Sequence, residues 1–274
     1  MATNIKLKMK IISAGTALQF FIRVSILCIT SILVSCSSTP PAGKTPAEVL
    51  FQQAEAHVKK ERYLLATERL NTIKSQYPYS YYSTHAELLL ADISFLQENY
   101  PEAAAAYLSF KELHPKHEKM NYVIWKIAES YNGQMPSTND RDLSLGKEAI
   151  KYYNEMIDKY PQSEYVPAAK EKISRIAEML QQQDIYIADY YYRTDTYDSA
   201  RFRYLDILEK YQDKKVQDYA MLKVVKTSML LDNYSDCIKY ADSYSDRISE
   251  GYKTEVNGLR KECQKKEKKQ EIKN

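Results

Sequence analysis

Four alanines set a register in this chain. Counting back twelve residues from Pro78, Pro115, Pro161 and Gln212 lands on Ala66, Ala103, Ala149 and Ala200. Three residues before these alanines stand Tyr63, Tyr100, Gly146 and Tyr197; four after them stand Leu70, Tyr107, Tyr153 and Tyr204; seven after them stand Ile73, Phe110, Met156 and Ile207. Positions spaced by three, four and seven share one face of an α-helix. Each segment therefore predicts a helix with one small residue for close approach to its predecessor and large apolar residues beside it. Three of the four segments stop at a proline, which cannot continue a helix. A pattern repeated this often predicts stacked repeats.

The alanine, aromatic and proline spacing resembles the second helix of tetratricopeptide repeats. The first helices fit as well: Ala54 and Ala91 each lie 24 residues before a terminal proline, where the two helices of a repeat meet. A fifth, weaker unit follows, with Asp218 to Leu231 as first helix, Asn233 to Ser245 as second, and Tyr234 and Cys237 in the tyrosine and alanine positions. The expected fold is all-α: a tetratricopeptide-repeat superhelix of about five hairpins over residues 47–250. The interval from Pro115 to Pro161 exceeds that from Pro78 to Pro115 by nine residues, which fall in the loop-forming stretch Asn132 to Leu145 (NGQMPSTNDRDLSL) inside the third hairpin. Residues 251–274 form a charged C-terminal helix or tail, and from Lys261 onward the Lys and Glu content predicts a frayed, solvated end. The 25 Tyr supply aromatic packing, while 6 Gly and 9 Pro are few for a turn-rich β fold. The 39 basic and 36 acidic residues are interspersed, so the net charge of +3 gives no basic patch for nucleic acid.

The N-terminus reads as an address. Lys6, Lys8 and Lys10 precede an apolar stretch from Val24 to Val34, shorter than the roughly 20 residues a spanning helix requires. Leu33-Val34-Ser35-Cys36 resembles the bacterial lipobox, in which a thiol receives diacylglycerol before cleavage. Residues 1–35 are thus expected to be a cleaved lipoprotein signal peptide, with Cys36 as the lipidated residue and 36–46 as a small, polar, proline-rich tether. Ser37 stands where an aspartate would signal inner-membrane retention. The expected location is the periplasmic face of the outer membrane, held by the lipid. A plain secretion signal with Cys36 incidental is the other reading.

The run from Arg141 to Asp213 resembles, without a gap, the outer-membrane assembly lipoproteins of the BamD family. The agreement rests on Asp140-Arg141-Asp142, on Tyr160-Pro161-x-Ser163-x-Tyr165, on Ala188-x-Tyr190-Tyr191, and on Tyr197 and Ala200 leading to Arg203. Three positions depart. Asp184 stands where the family usually has Glu, Thr194-Asp195-Thr196 replaces a basic-Gly turn, and Gln212 replaces a proline. The resemblance implies a scaffold of the machinery that folds and inserts β-barrel proteins. The C-terminal repeats would dock on the periplasmic domains of the barrel-forming subunit, beside the other lipoproteins of that complex, and the N-terminal repeats would receive unfolded outer-membrane clients.

Under that resemblance Arg203 matches a docking arginine, and a guanidinium suits the role because it can pair bidentately with a carboxylate. An i, i+3 pair with Asp206 on the same helix is an equal alternative. Asp189, Tyr190 and Tyr191 are candidates for the same docking face, although tyrosines at helical spacing also serve cores. Tyr79, Tyr81 and Tyr82 are candidates for the rim of a client groove, or else cover helix ends in a turn between repeats.

Nothing in the sequence predicts catalysis or a cofactor. The histidines are His57, His85, His114 and His117, and of these His114 and His117 lie on either side of Pro115 in a turn, with no Cys or paired acidic ligand at zinc spacing. Cys237 sits at a core alanine position, which favours an inert thiol, and a Cys237–Cys263 disulfide stays open in an oxidising compartment. The competing functional reading is a periplasmic repeat lipoprotein of another pathway, such as cell-wall or glycan handling.

Overall fold

A computed structural model describes residues 44–272; the signal segment and Cys36 lie outside the described residues. Eleven helices follow one another among them: α1 Pro46–Val58, α2 Tyr63–Gln76, α3 Tyr81–Leu96, α4 Tyr100–Leu113, α5 Met120–Gly133, α6 Ser144–Lys159, α7 Val166–Arg193, α8 Tyr197–Lys210, α9 Lys214–Leu230, α10 Tyr234–Tyr244 and α11 Glu250–Glu271. They form five antiparallel hairpins, α1–α2 through α9–α10, each packed on the next, with α11 closing the stack against α9 and α10.

The alanine register is the packing register. Ala54, Ala66, Ala91, Ala103, Ala149, Ala188 and Ala200 are all fully buried, and Leu70, Ile73, Tyr107, Phe110, Tyr153, Met156, Tyr204 and Ile207 fill the core around them. At Gly146 even a methyl group is too large: a Cβ there would lie 2.8 Å from Cγ2 of Ile176 and 3.0 Å from Cε of Met135. Four hairpins turn in the same way. Glu61, Glu98, Asp195 and Asp232 adopt left-handed φ values of 56, 57, 58 and 54°. The next amide in each case donates back over the helix end, Arg62 to His57, Asn99 to Ser94, Thr196 to Tyr191 and Asn233 to Ser228, at 2.9 to 3.0 Å. This is the six-to-one bond that satisfies a helix C-terminus. The third hairpin replaces that turn with the inserted loop, which joins α5 to α6 through residues 134–143.

Two features differ from the sequence expectation. Helix α7 spans 28 residues, so its first half packs on α6 of the third unit and its second half on α8 of the fourth. The end of the chain is also more than a solvated tail. Val256, Leu259 and Cys263 are buried on one face of α11, and Cys263 is bonded to Cys237 of α10, with the Cα atoms 6.4 Å apart. The thiol at the core alanine position is therefore a disulfide partner. The Lys and Glu-rich composition hid an apolar face that uses only one residue in three or four.

Candidate functional site

Two surfaces carry the residues singled out by the sequence. The first is at the N-terminal units. Ser80 caps α3, accepting from the amide of Tyr82 at 3.2 Å, and so presents the tyrosines that follow. Tyr79 is wholly exposed and Tyr81 is 68% exposed, whereas Tyr82 is half-buried with its ring centroid 5.6 Å from Phe51. Tyr81 lies 4.1 Å from His85, His85 lies 5.5 Å from His117, and His117 lies 5.0 Å from Phe110. Tyr81, Thr84, His85, Lys116, His117 and Glu118 surround a hollow of about 310 Å³. Burial, with the neighbouring His85, holds the His117 pKa below the ordinary histidine value. His114 packs on Phe110 as well, at 4.8 Å, and its Nε2 meets Glu87 at 2.8 Å, which Lys74 also approaches at 3.5 Å. Sequence reasoning had weighed these histidines only as metal ligands.

A second hollow of about 390 Å³ lies against α3 and α5, lined among others by Asp92, Tyr122 and Tyr165. Asp92 Oδ1 accepts from the hydroxyls of Tyr107 at 2.5 Å and Tyr122 at 2.8 Å. The same device recurs 97 residues on, where Asp189 Oδ1 accepts from Tyr204 at 2.6 Å and Tyr219 at 2.7 Å. Lysine positions follow the same offset. Lys126 Nζ sits 3.6 Å from the Phe95 ring centre and Lys223 Nζ 3.8 Å from that of Tyr192. Burial pushes the Asp92 carboxyl above the usual carboxylate range against the pull of its tyrosine bonds. Burial, reinforced by the facing aspartates, raises the Tyr107 and Tyr204 phenols, and burial lowers both lysines. Each cluster ties three consecutive helices together with one carboxylate where hairpins meet.

The other surface is the fourth unit. Arg203 is exposed on α8, and among the described residues it enters no ion pair, with Asp206 or otherwise. The local partnership belongs to Arg201, two residues earlier, whose guanidinium reaches Asp236 of α10 at 3.2 Å and Asp198 at 3.6 Å. Tyr190 is 51% exposed and meets Tyr191 edge-on at 5.8 Å. Tyr191 packs on the C-terminal core. Asp189 is committed through Oδ1 to the two hydroxyls beneath that face. Of the four docking candidates, Arg203 and Tyr190 are exposed, while Asp189 accepts from two tyrosine hydroxyls and Tyr191 packs on the C-terminal core.

Among the described residues no group of three or more His, Cys, Asp or Glu is placed to hold a metal ion, and no helix is long and apolar enough to cross a membrane. What the molecule offers is binding surface: stacked hairpins, shallow hollows against the first helices and an unpaired arginine on a second helix. That arrangement defines a helical-repeat protein. Residues 43–239 match the family described as outer membrane lipoprotein (YfiO), and this chain belongs to that family.

Relatives carry the same theme. The outer membrane protein assembly factor BamD of Vibrio cholerae is 27% identical over 200 residues, covering 69% of this chain and 83% of that protein. BamD of Caulobacter vibrioides is 22% identical over 213 residues, covering 74% of this chain and 70% of that protein. Among solved structures, the TPR2AB-domain:pHSP90 complex of yeast Sti1 aligns with 80% of this chain and 98% of that chain, at 9% identity and a TM-score of 0.41.

Proposed function

We propose that this chain is a lipid-anchored, non-catalytic scaffold of outer-membrane β-barrel assembly. It docks through its fourth unit on the periplasmic domains of the barrel-forming subunit, works beside the other lipoproteins of that complex, and offers the hollows of its N-terminal units to unfolded outer-membrane clients. Family membership and the BamD relatives support the assembly role. The observation that carries the docking is Arg203, an exposed guanidinium with no ion pair among the described residues. A cation left without its helical neighbour is available for a carboxylate on a partner. Cys36, outside the described residues, is the tether's lipid anchor in this reading. Sharing one membrane surface with the partner raises the effective concentration of each, so the docking contact itself need only be moderate.

Clients would meet the tyrosine and histidine hollow beside Tyr81 and the rim formed by Tyr79 and Tyr82. Exposed aromatic faces give sequence-tolerant contacts, which suits transfer to the barrel. The experiment is affinity purification of the full-length protein in mild detergent. A β-barrel membrane protein, identified by mass spectrometry and heat-modifiable migration, is the expected companion, and Arg203→Glu is expected to weaken the association about thirtyfold or more, the scale for losing one partner of an interfacial charge pair. Purification with no barrel protein, or retention on peptidoglycan instead, overturns the proposal.

A further inference from the structure

The residue two places after the register alanine is exposed in every second helix, and it is Glu68, Ala105, Lys151, Phe202 and Lys239 in turn. A solvated helix face accounts for glutamate, alanine and lysine. It does not account for Phe202, which stands 67% exposed on α8. The comparison with Ala105 is the sharpest, because α4 and α8 belong to segments that share the same aspartate and tyrosine clusters and the same left-handed turn. Helix α4 packs with a methyl group at that place, so the repeat itself has no use for a phenyl ring. The next position departs as well. It is part-buried Arg69, part-buried Ala106, buried Tyr152, exposed Arg203 and part-buried Tyr240. Two successive departures from the register fall on one helix of one unit, and both put an interface type of side chain into solvent.

We infer that Phe202 is the apolar anchor of the surface to which Arg203 belongs, and that the partner presents a carboxylate beside an apolar hollow on a folded domain. The inference rests on the docking reading above and names the chemistry of its other half. Aromatic and arginine side chains dominate the energetics of protein interfaces, where a ring that fills a hollow excludes water from its surroundings. With water displaced, the adjoining guanidinium and carboxylate attract each other in a lower effective dielectric. A folded domain fits better than an extended client, because α8 is a second helix, whereas the hollows suited to a chain lie against the first helices α3 and α5 and the turns beside them. The two residues are unequal in kind: Arg203 confers orientation and salt dependence, and Phe202 confers lifetime.

The test compares Phe202→Ala, Phe202→Leu, Arg203→Glu and the control Lys151→Ala in full-length, detergent-solubilised protein bound to its purified barrel subunit. Phe202→Ala is expected to weaken binding about thirtyfold through faster dissociation, Phe202→Leu to restore most of it, and Lys151→Ala to change nothing. The melting temperature should stay the same for all four, since neither side chain packs the core. If Arg203→Glu weakens binding while Phe202→Ala stays within twofold of the parent, the anchor role is wrong and the docking reading stands. If neither variant matters, or no barrel subunit binds, the docking reading itself falls. Two results reassign the ring: a drop in melting temperature with Phe202→Ala makes it structural, and conversion of a self-associated parent to a monomer, with barrel binding intact, makes its occupant a second copy of this chain.

Discussion

Breaking the Cys237–Cys263 bond should release the end of the stack. The two cysteines are 26 residues apart in sequence, and the chain-entropy relation for a loop of that size gives about 3.5 kcal/mol of stabilisation at 25 °C. Because a repeat array couples each unit mainly to its neighbours, the loss is concentrated in α9–α11. Cys263→Ser, or reduction in mild denaturant confirmed by free-thiol titration, is therefore expected to split the thermal transition followed by circular dichroism. The C-terminal unit should melt about 10 °C or more earlier, using the scale of several degrees per kcal/mol for cooperative units of this size. Hydrogen exchange should show faster opening in α10 and α11, with α4 to α6 unchanged. Deletion of residues 261–274, which removes Cys263, should mimic the serine variant, while deletion of 265–274 should be tolerated. Fully reduced protein with an unchanged melt and unchanged protection in α11 would refute the reasoning.

Other perturbations probe the rest of the fold. Asp189→Ala leaves the hydroxyls of Tyr204 and Tyr219 without their acceptor and should cost about 2–4 kcal/mol in denaturant unfolding. Asp92→Ala should cost a similar amount, and a loss under about 0.5 kcal/mol at either site contradicts the clamp. Gly146→Ala forces a methyl group against Ile176 and Met135 and should destabilise by about 1–3 kcal/mol; a neutral result would mean that α6 shifts freely. Asp195 holds a left-handed φ of 58°, so Asp195→Gly should gain about 0.5–1 kcal/mol by relieving it, read as a rise in melting temperature. Burial pushes the phenols of Tyr211 and Tyr244 up to about 12. A raised folded pKa gives stability that is complete below the unfolded value of about 10 and is lost as pH rises through the folded one. Helix content and phenolate absorbance should therefore change together between about pH 10 and 12, and phenolate formation without loss of helix argues against the burial.

The parts of the fold that were legible in sequence are those fixed by a single residue's size or backbone. Ala66, Ala103, Ala149 and Ala200 announce themselves because a close helix approach admits nothing larger, and the prolines and turns mark where each helix ends. The aspartate and tyrosine clusters were not legible, because Tyr122 lies 30 residues from Asp92 and meets it only once α3, α4 and α5 have packed in succession. Helix α7 gave no sign of its length, since nothing in Val166–Arg193 marks the passage from one unit to the next. At the candidate site, Arg203 follows from the resemblance, while the choice between a pair with Asp206 and a free guanidinium depends on geometry: among the described residues Arg203 pairs with no carboxylate, and the helix's ion pairs, to Asp198 and Asp236, belong to Arg201. Phe202 could have been found from the register, by asking which exposed repeat position holds a side chain that solvent does not favour.

The most direct measurement is site-specific photocrosslinking in intact cells from position 203, with position 151, exposed on the third unit, as control. Docking through the fourth unit predicts an adduct with a heat-modifiable β-barrel membrane protein from position 203 and none from position 151. An adduct with a cell-wall protein, or equal adducts from both positions, would contradict it.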